Sequence, residues 1–328
     1  GELFDPLGGV DDLRAGVLRA CDPVTFGEDP LRALRVMQLA ARLEMDPDEE
    51  LVRICASQDL SELSAERIFD EFRKLLLLSR EPARGLRFLR ETALLRFFPE
   101  LAAMVDVPQD PVWHPEGDVW VHTLMVVDAA AGLRDGGDDD LALMFGALCH
   151  DFGKPDTTVT GDDGRIRSPQ HDLVGERLVS EFLAAMRAPN ELIGKARSLT
   201  REHLAPAVLI EQDSSDRAFR RLARRLWRTG TSMELLERLA RADHLGRTTE
   251  EALRGEFAAG DQFLERARAL EVDHEVPPDV VQGRHLLALG MKPGPEIGEI
   301  LDRCRVVQEE TGWTDPERIL QRVMKQQS

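Results

Sequence analysis

The sequence is poor in the features that mark secreted, membrane-spanning and strand-built proteins. Its four cysteines, Cys21, Cys55, Cys149 and Cys304, are scattered with no C-x-x-C pair, which leaves no basis for a thiolate zinc site or a disulfide framework. They read as reduced, buried small hydrophobes. No run of about 18 apolar residues occurs, so no bilayer-spanning helix is expected. Nothing has the basic start and small-residue cleavage site of a signal peptide, and a cytoplasmic protein is the expectation. β-Branched alternation is rare, so little sheet is expected. Positive charge is also short: 42 lysines and arginines face 60 aspartates and glutamates, a formal net charge of -18. Such a chain does not hold nucleic acid by bulk electrostatics, because phosphate neutralisation needs clustered cations. Any RNA site must be a local basic patch.

Leucine, alanine, arginine and glutamate dominate instead, with apolar residues recurring at spacings of three and four, and the fold class expected is all-α. The 328 residues suffice for two or three packed units. The opening ELFDPLGGVDDL reads as the end of an element, and with Gly1 first the chain is expected to be a fragment. Asp29 can cap a helix that Pro30 enters at its first position and that runs to about Met45. Further helices fit residues 49–57, 65–78 and 82–96, and three prolines within 107–116 mark a boundary. The segments expected are 1–46, a helical body at 47–112, a chemistry-bearing domain at 113–250 and a helical tail at 251–328, which carries no evident chemistry.

The chemistry lies in the third segment. Asp118 can cap a helix on which Val119, His122, Val126 and Ala129 share a face, so an imidazole points inward. Residues 141–149 are apolar nearly all round and end at His150 and Asp151, with Gly153 and Pro155 as the stop. Burying an ionised carboxylate alone costs several kcal/mol, so an aspartate in apolar register demands a cation, a proton or a hydrogen-bond network. Asp243, in register with Met233, Leu236 and Ala240, repeats that demand. A lone histidine on an apolar face is more often a satisfied core residue, but His122, His150, Asp151 and Asp243 form an ordered set. Imidazole and carboxylate without thiolate suit a divalent ion of the Mg, Mn, Ni, Co or Fe kind, with water in its open positions. Such an ion suits hydrolysis of phosphate esters, and Lys154 can meet the phosphate as a point charge.

His203 shares a face with Leu192, Ala196 and Leu199, and His171 begins a helix in which Gly175, one turn on, leaves space. These two histidines either complete a second ion site with Asp151 bridging or donate hydrogen bonds to phosphate. The second role is favoured, since only Asp172 follows as a carboxylate that could share an ion. The catalytic set expected is therefore Asp151, Lys154, His171 and His203. A basic patch exists in RAFRRLARRLWR, where Arg217, Arg220, Arg221, Arg224, Arg225 and Arg228 recur at helical spacing. It is either a phosphate-contact face, with Arg221 and Arg225 at its centre, or a solvated face offsetting nearby acids.

HTLMVV, ALCHDFGKP and RADHLG resemble the H…HD…D signature of the HD phosphohydrolase superfamily. DPLGGVDDL, FGEDPLRALRVMQLAARL, SAERIFDEFRKLLL, FPEL, HPEGDVWVHT and GRHLLALGMKPGPEIG resemble the HD-containing branch of the bacterial tRNA nucleotidyltransferase (CCA-adding) and poly(A) polymerase family, along nearly the whole chain. The resemblance implies that a neck motif E-D-x-x-R, here Glu28, Asp29 and Arg32, reads the incoming nucleotide. Gln38 and Leu39 stand where that family carries Arg-Phe. It also implies that the transferase carboxylates belong to a head before Gly1, so that this chain alone adds no CMP or AMP. The activity carried over is hydrolysis of 2′,3′-cyclic phosphates and phosphomonoesters at RNA ends, with tRNA, RNA 3′ ends or nucleotides as partners. Two alternatives stand beside it: an RNA-binding neck and body with a non-catalytic HD region, and a nucleotide hydrolase unconnected with RNA. The D-F-G at residues 151–153 does not indicate a kinase, since no Gly-rich loop, V-A-I-K lysine or H-R-D loop accompanies it.

Overall fold

A computed structural model describes residues 4–274 and 278–325. The all-α expectation holds. The strands described are two-residue pairs, Val17–Leu18 parallel to Asp46–Pro47 and Val159–Thr160 antiparallel to Ile166–Arg167. No helix among the described residues is long and apolar enough to cross a membrane. Cys55, Cys149 and Cys304 are buried and free, but Cys21 is free and exposed. It sits in a bend just after the first short strand, where no apolar face covers it.

The chain divides into two compact units, one of residues 1–204 with 235–258 and one of 205–234 with 259–328. In the first, the Leu31–Leu43 helix buries Leu34, Met37 and Ala41 against the Ala65–Leu78 and Pro82–Glu91 helices. Asp29 contributes to its start, its Oδ1 accepting from the Leu31 amide at 3.2 Å. Asp48 caps the Glu49–Ala56 helix in the same way, accepting from Leu51 N at 2.8 Å. The helix expected over 82–96 stops at Glu91. Thr92 Oγ1 donates to Phe88 O at 2.7 Å and Ala93 turns left-handed at φ 55°, so the chain resumes as a 3-10 turn, Leu94–Phe97.

The Asp140–Cys149 helix is sheathed on every side, as its all-round apolar sequence requires. It packs against the Val119–Gly132, Ala65–Leu78 and Asn190–Glu202 helices, with Phe145 stacked on Phe69 at 5.8 Å between centroids. His171–Ala185 lies along Asn190–Glu202. The buried helix therefore ends at the meeting point of several others, which puts its last residues deep in the unit.

In the second unit, Val281, Leu286, Ile300, Cys304, Val307, Ile319, Leu320 and Val323 form a separate core. The Asp216–Trp227 helix packs against Pro295–Thr311. Arg217 pairs with Glu310 at 2.9 Å, Arg224 with Glu309 at 2.9 Å, and Arg220 donates to the Glu309 carbonyl at 3.2 Å. Residues 205–234 thus group with the C-terminal residues, although they lie within the segment 113–250 drawn from the sequence.

Candidate metal centre

Five pieces of the first unit converge. The Asp118 carboxylate caps the Val119–Gly132 helix, accepting from Val121 N at 2.7 Å, and fixes the rotation that turns His122 inward. His150 and Asp151 end the sheathed helix. His171 opens His171–Ala185, His203 follows Asn190–Glu202, and Asp243 stands two residues before the end of Met233–Leu245. His122, His150 and Asp151 are at most 1% exposed. His171, His203 and Asp243 are also buried.

Glycines permit this convergence at two places. A Cβ on Gly153 would lie 2.0 Å from the His171 carbonyl oxygen and 2.7 Å from Gly175 N. A Cβ on Gly246 would lie 2.4 Å from Val126 Cγ2 and 2.8 Å from Val126 N. Any side chain there would push His171 away from Asp151, or Asp243 away from His122.

The nitrogens and oxygens face one another. His122 Nε2 lies 3.0 Å from Asp243 Oδ1 and 4.0 Å from Asp151 Oδ2, and His150 Nε2 lies 3.2 Å from Asp151 Oδ2 and 3.9 Å from Asp243 Oδ1. His171 Nε2 is 3.6 Å from Asp151 Oδ1 and 3.3 Å from His203 Nε2. Three of the rings are oriented by backbone carbonyls at Nδ1: His150 by Ala147 (2.9 Å), His171 by Ser168 (2.8 Å) and His203 by Thr200 (2.7 Å). A carbonyl only accepts, so Nδ1 carries a hydrogen in each and Nε2 is the atom turned to the cluster. Burial holds His171 and His203 below the usual imidazole range, so their Nε2 atoms offer lone pairs, whereas against burial Asp151 raises His150, whose Nε2 becomes a ligand on losing its proton. His122 is bracketed instead, with Glu116 Oε1 at 2.8 Å from Nδ1.

The charges are as constrained as the geometry. Burial opposes ionisation of Asp151, but His150 and Lys154 hold its carboxyl well below the usual carboxylate range. Asp243 is likewise buried and held low, by Arg247 and His122; Arg247 donates to its Oδ2 at 3.1 Å. Burial drives His203 down to about 3, with His171 and His150 adding repulsion, and burial lowers His171 as well.

Lys154 Nζ stands 2.7 Å from Asp151 Oδ2 and donates its aligned hydrogen bond to Gln109 Oε1 at 2.6 Å. Both Asp151 oxygens and His150 Nε2 are buried without a hydrogen-bond partner among the described residues. Acceptors of this kind, anionic, inward-facing and met by ion pairs but by no hydrogen bond, fit a cation. Among the described residues three donor groups bring their ligand atoms within 4.8 Å and could hold a metal ion: His114 with Glu116 and His122, and, both containing Asp151, His122 with His150 and Asp151, and Asp151 with His171 and His203.

The sequence reading did not find Glu116, His114, Gln109 or Arg247. Glu116, its side chain 1% exposed, touches both His122 and His114 (2.9 Å) and accepts from the Thr248 amide at 3.3 Å. Its charge is held well down: burial opposes it, while hydrogen bonds from His114 and His122 prevail. His114 itself is pushed down to about 4 by burial. Arg247 had a signal, its i,i+4 spacing from Asp243; Glu116 had none, because its loop has no periodicity.

The remaining site residues lie elsewhere. Arg32 lines a separate pocket of about 350 Å³ with Arg19, Arg35, Phe26 and Leu39, and donates to the Thr25 carbonyl at 2.5 Å. Asp29 accepts from Arg67 at 3.0 and 2.8 Å, and Glu28 is exposed; neither lines that pocket. Arg221 and Arg225 are exposed on the Asp216–Trp227 helix of the second unit.

Residues 49–105 match the family described as the probable RNA and SrmB-binding site of polymerase A, and residues 119–248 match the HD domain family. The chain is 36% identical to the Multifunctional CCA protein of Halorhodospira halophila, over 94% of this chain and 72% of that protein. Among solved structures it resembles a CCA-adding enzyme in an apo form, with a TM-score of 0.55 and 16% identity, over 98% of this chain and 65% of that one. It also resembles the Thermotoga maritima CCA-adding enzyme complexed with tRNA, with a TM-score of 0.54 and 15% identity, over 99% of this chain and 68% of that one. At such identities the two structures speak to the fold alone, and the chain spans just under two thirds of the length of the first. Identity of 36% along nearly the whole chain, with the HD residues gathered into one buried cluster, shows that the chain belongs to the CCA-adding enzyme family, in its HD-containing branch.

Proposed function

We propose that the first unit hydrolyses phosphate esters at a divalent ion of the Mg, Mn, Ni, Co or Fe kind held by His122, His150, Asp151 and Asp243. Its substrates are 2′,3′-cyclic phosphates and phosphomonoesters at RNA ends, tRNA among them, and its place is the cytoplasm. The observation that carries this reading is that neither Asp151 oxygen nor the facing His150 Nε2 has a hydrogen-bond partner among the described residues, with the ion pairs from Lys154 and between the two residues meeting that buried charge. When bound, such an ion lowers the pKa of water and polarises a phosphoryl oxygen. The chain's own residues do the rest. Lys154 and Arg247 line the cavity with Asp151 and Asp243 and offset the charge of an entering phosphate, while His122 and His150 are held in the ligand orientation by Glu116 and Ala147. Replacing His150 or Asp151 by Ala should abolish metal binding and hydrolysis of 2′,3′-cyclic AMP together. Hydrolysis that survives in both variants would overturn the assignment.

One observation favours a role for His171 and His203 other than donation to phosphate. Their Nδ1 hydrogens are already given to carbonyls, so two Nε2 lone pairs face each other at 3.3 Å beside Asp151 Oδ1. Acceptors so placed suit a second cation, with Asp151 shared. Asp172 is not available for it, being paired with Arg201. Two ions per chain, falling to one in His171→Ala and in His203→Ala, is the expected stoichiometry; one ion in the parent returns these residues to the phosphate.

A further reading gives the chain the nucleotide- and RNA-holding part of CCA addition, with Glu28, Asp29 and Arg32 toward the nucleotide. The match of residues 49–105 and the arginine-lined pocket beside Arg32 support it. It requires Asp29 to leave Arg67 before it meets a base. Metal-free protein that still binds tRNA, with no hydrolysis when metal is restored, would favour this reading over the first.

A further inference from the structure

The cavity over the histidine and aspartate cluster encloses about 230 Å³, less than the ~300 Å³ at which pockets for whole small-molecule ligands begin. It accommodates a phosphate and its ester linkage, and the remainder of a substrate must lie at the mouth. The floor is buried, with Asp151 1%, His203 2% and Asp243 5% exposed. The rim differs. Trp113 lines the same cavity but is 58% exposed, and Leu204, which also lines it, is 40% exposed.

An indole left so open gains little from burial, yet its backbone is fixed on both sides. Gln109 accepts from Lys154, and the Asp110 carboxylate accepts from Arg165 at 2.5 Å and from Val112 N at 3.0 Å. The amides of Trp113 and His114 donate to the Asp110 carbonyl at 3.1 and 2.9 Å, and Glu116 closes the segment onto His122. Pro108, Pro111 and Pro115 stiffen it further. The backbone that bears the indole is thus held at a set place relative to Lys154 and Asp151, and the indole itself lines their cavity.

We infer that Trp113 is a base-stacking platform, so that the hydrolytic site selects esters carrying a nucleobase, with the phosphate toward Lys154 and Arg247 and the base on the indole. This rests on the phosphohydrolase reading and adds a specificity determinant to it. An aromatic face accepts any base, because every base has a π-face, so discrimination is between nucleotides and base-free phosphates and not among bases.

The test compares kcat/KM for 2′,3′-cyclic AMP and for glycerol 1,2-cyclic phosphate in the full chain and in Trp113→Ala and Trp113→Phe, with circular dichroism to establish folding. The ratio of the two constants should fall about tenfold or more in Trp113→Ala, mostly through KM, and Trp113→Phe should retain most of it. An unchanged ratio overturns the inference. Indole fluorescence titrated with AMP gives a second readout that needs no turnover. Quenching present in the parent and lost in Trp113→Phe supports stacking, and no quenching in the parent overturns it. If the parent hydrolyses neither ester, the phosphohydrolase reading fails, and the titration alone decides whether Trp113 holds a base.

Discussion

Asp151 is an ionised carboxylate at 1% exposure, and its neighbours define what each side chain is for. The orienting contacts on His150, His171 and His203 are backbone carbonyls, but His122 depends on a side chain, Glu116, that also holds His114. Partners of ligating histidines fix ring orientation and basicity, and their loss typically costs 10–100-fold in metal affinity. Glu116→Gln should therefore weaken Mn or Ni binding by about that factor in a calorimetric titration of the stripped protein. Unchanged affinity in a folded variant would leave Glu116 as a loop anchor only.

At the scale of elements, ligand placement depends on how closely helices approach. Gly246 sits against Val126, and Gly246→Ala should destabilise the protein by about 1–3 kcal/mol through overpacking and weaken metal binding by parting His122 from Asp243. A lowered melting temperature together with unaltered metal affinity would separate the two effects and refute the second.

Asp128, on the helix that bears His122, links that helix to Pro82–Glu91 by accepting from Ala83 N at 2.9 Å. Burial raises its carboxyl to about 6, against the partial relief of that hydrogen bond. The native state then holds a proton more tightly than the unfolded chain does, so this group's contribution to stability falls as pH rises from about 4 to about 6. Asp128→Asn keeps an acceptor for Ala83 without the charge. Its melting temperature should exceed that of the parent near pH 7, with the gap closing as pH falls toward 4; a gap independent of pH would contradict the assignment.

Over the whole molecule, acidity limits where RNA can be held. On the Asp216–Trp227 helix, Arg217, Arg220 and Arg224 are engaged by Glu310, Glu309 and Asp279 of the second unit. The exposed arginines of this stretch are Arg221, Arg225 and Arg228, and their exposure makes them the phosphate-facing candidates. Binding of tRNA should be weak and steeply salt-dependent, and Arg221→Glu with Arg225→Glu should both weaken it and flatten the slope of affinity against salt. An unaltered slope in a filter-binding series would mean that this face is only solvated.

The sequence by itself determined the helical class, the capping role of Asp118 and the inward facing of His122, His150, Asp151, His203 and Asp243, because apolar periodicity reports which face of a helix is covered. It could not report what covers that face. The pairing of Asp29 with Arg67, the grouping of residues 205–234 with acids beyond residue 270, and the lone-pair contact of His171 with His203 all join side chains distant in sequence. Glu116 and Trp113 lie in a proline-rich loop, where spacing carries no period. Their roles come from the hydrogen bonds that stitch the loop onto Lys154, Arg165 and His122, which only the folded chain brings within reach.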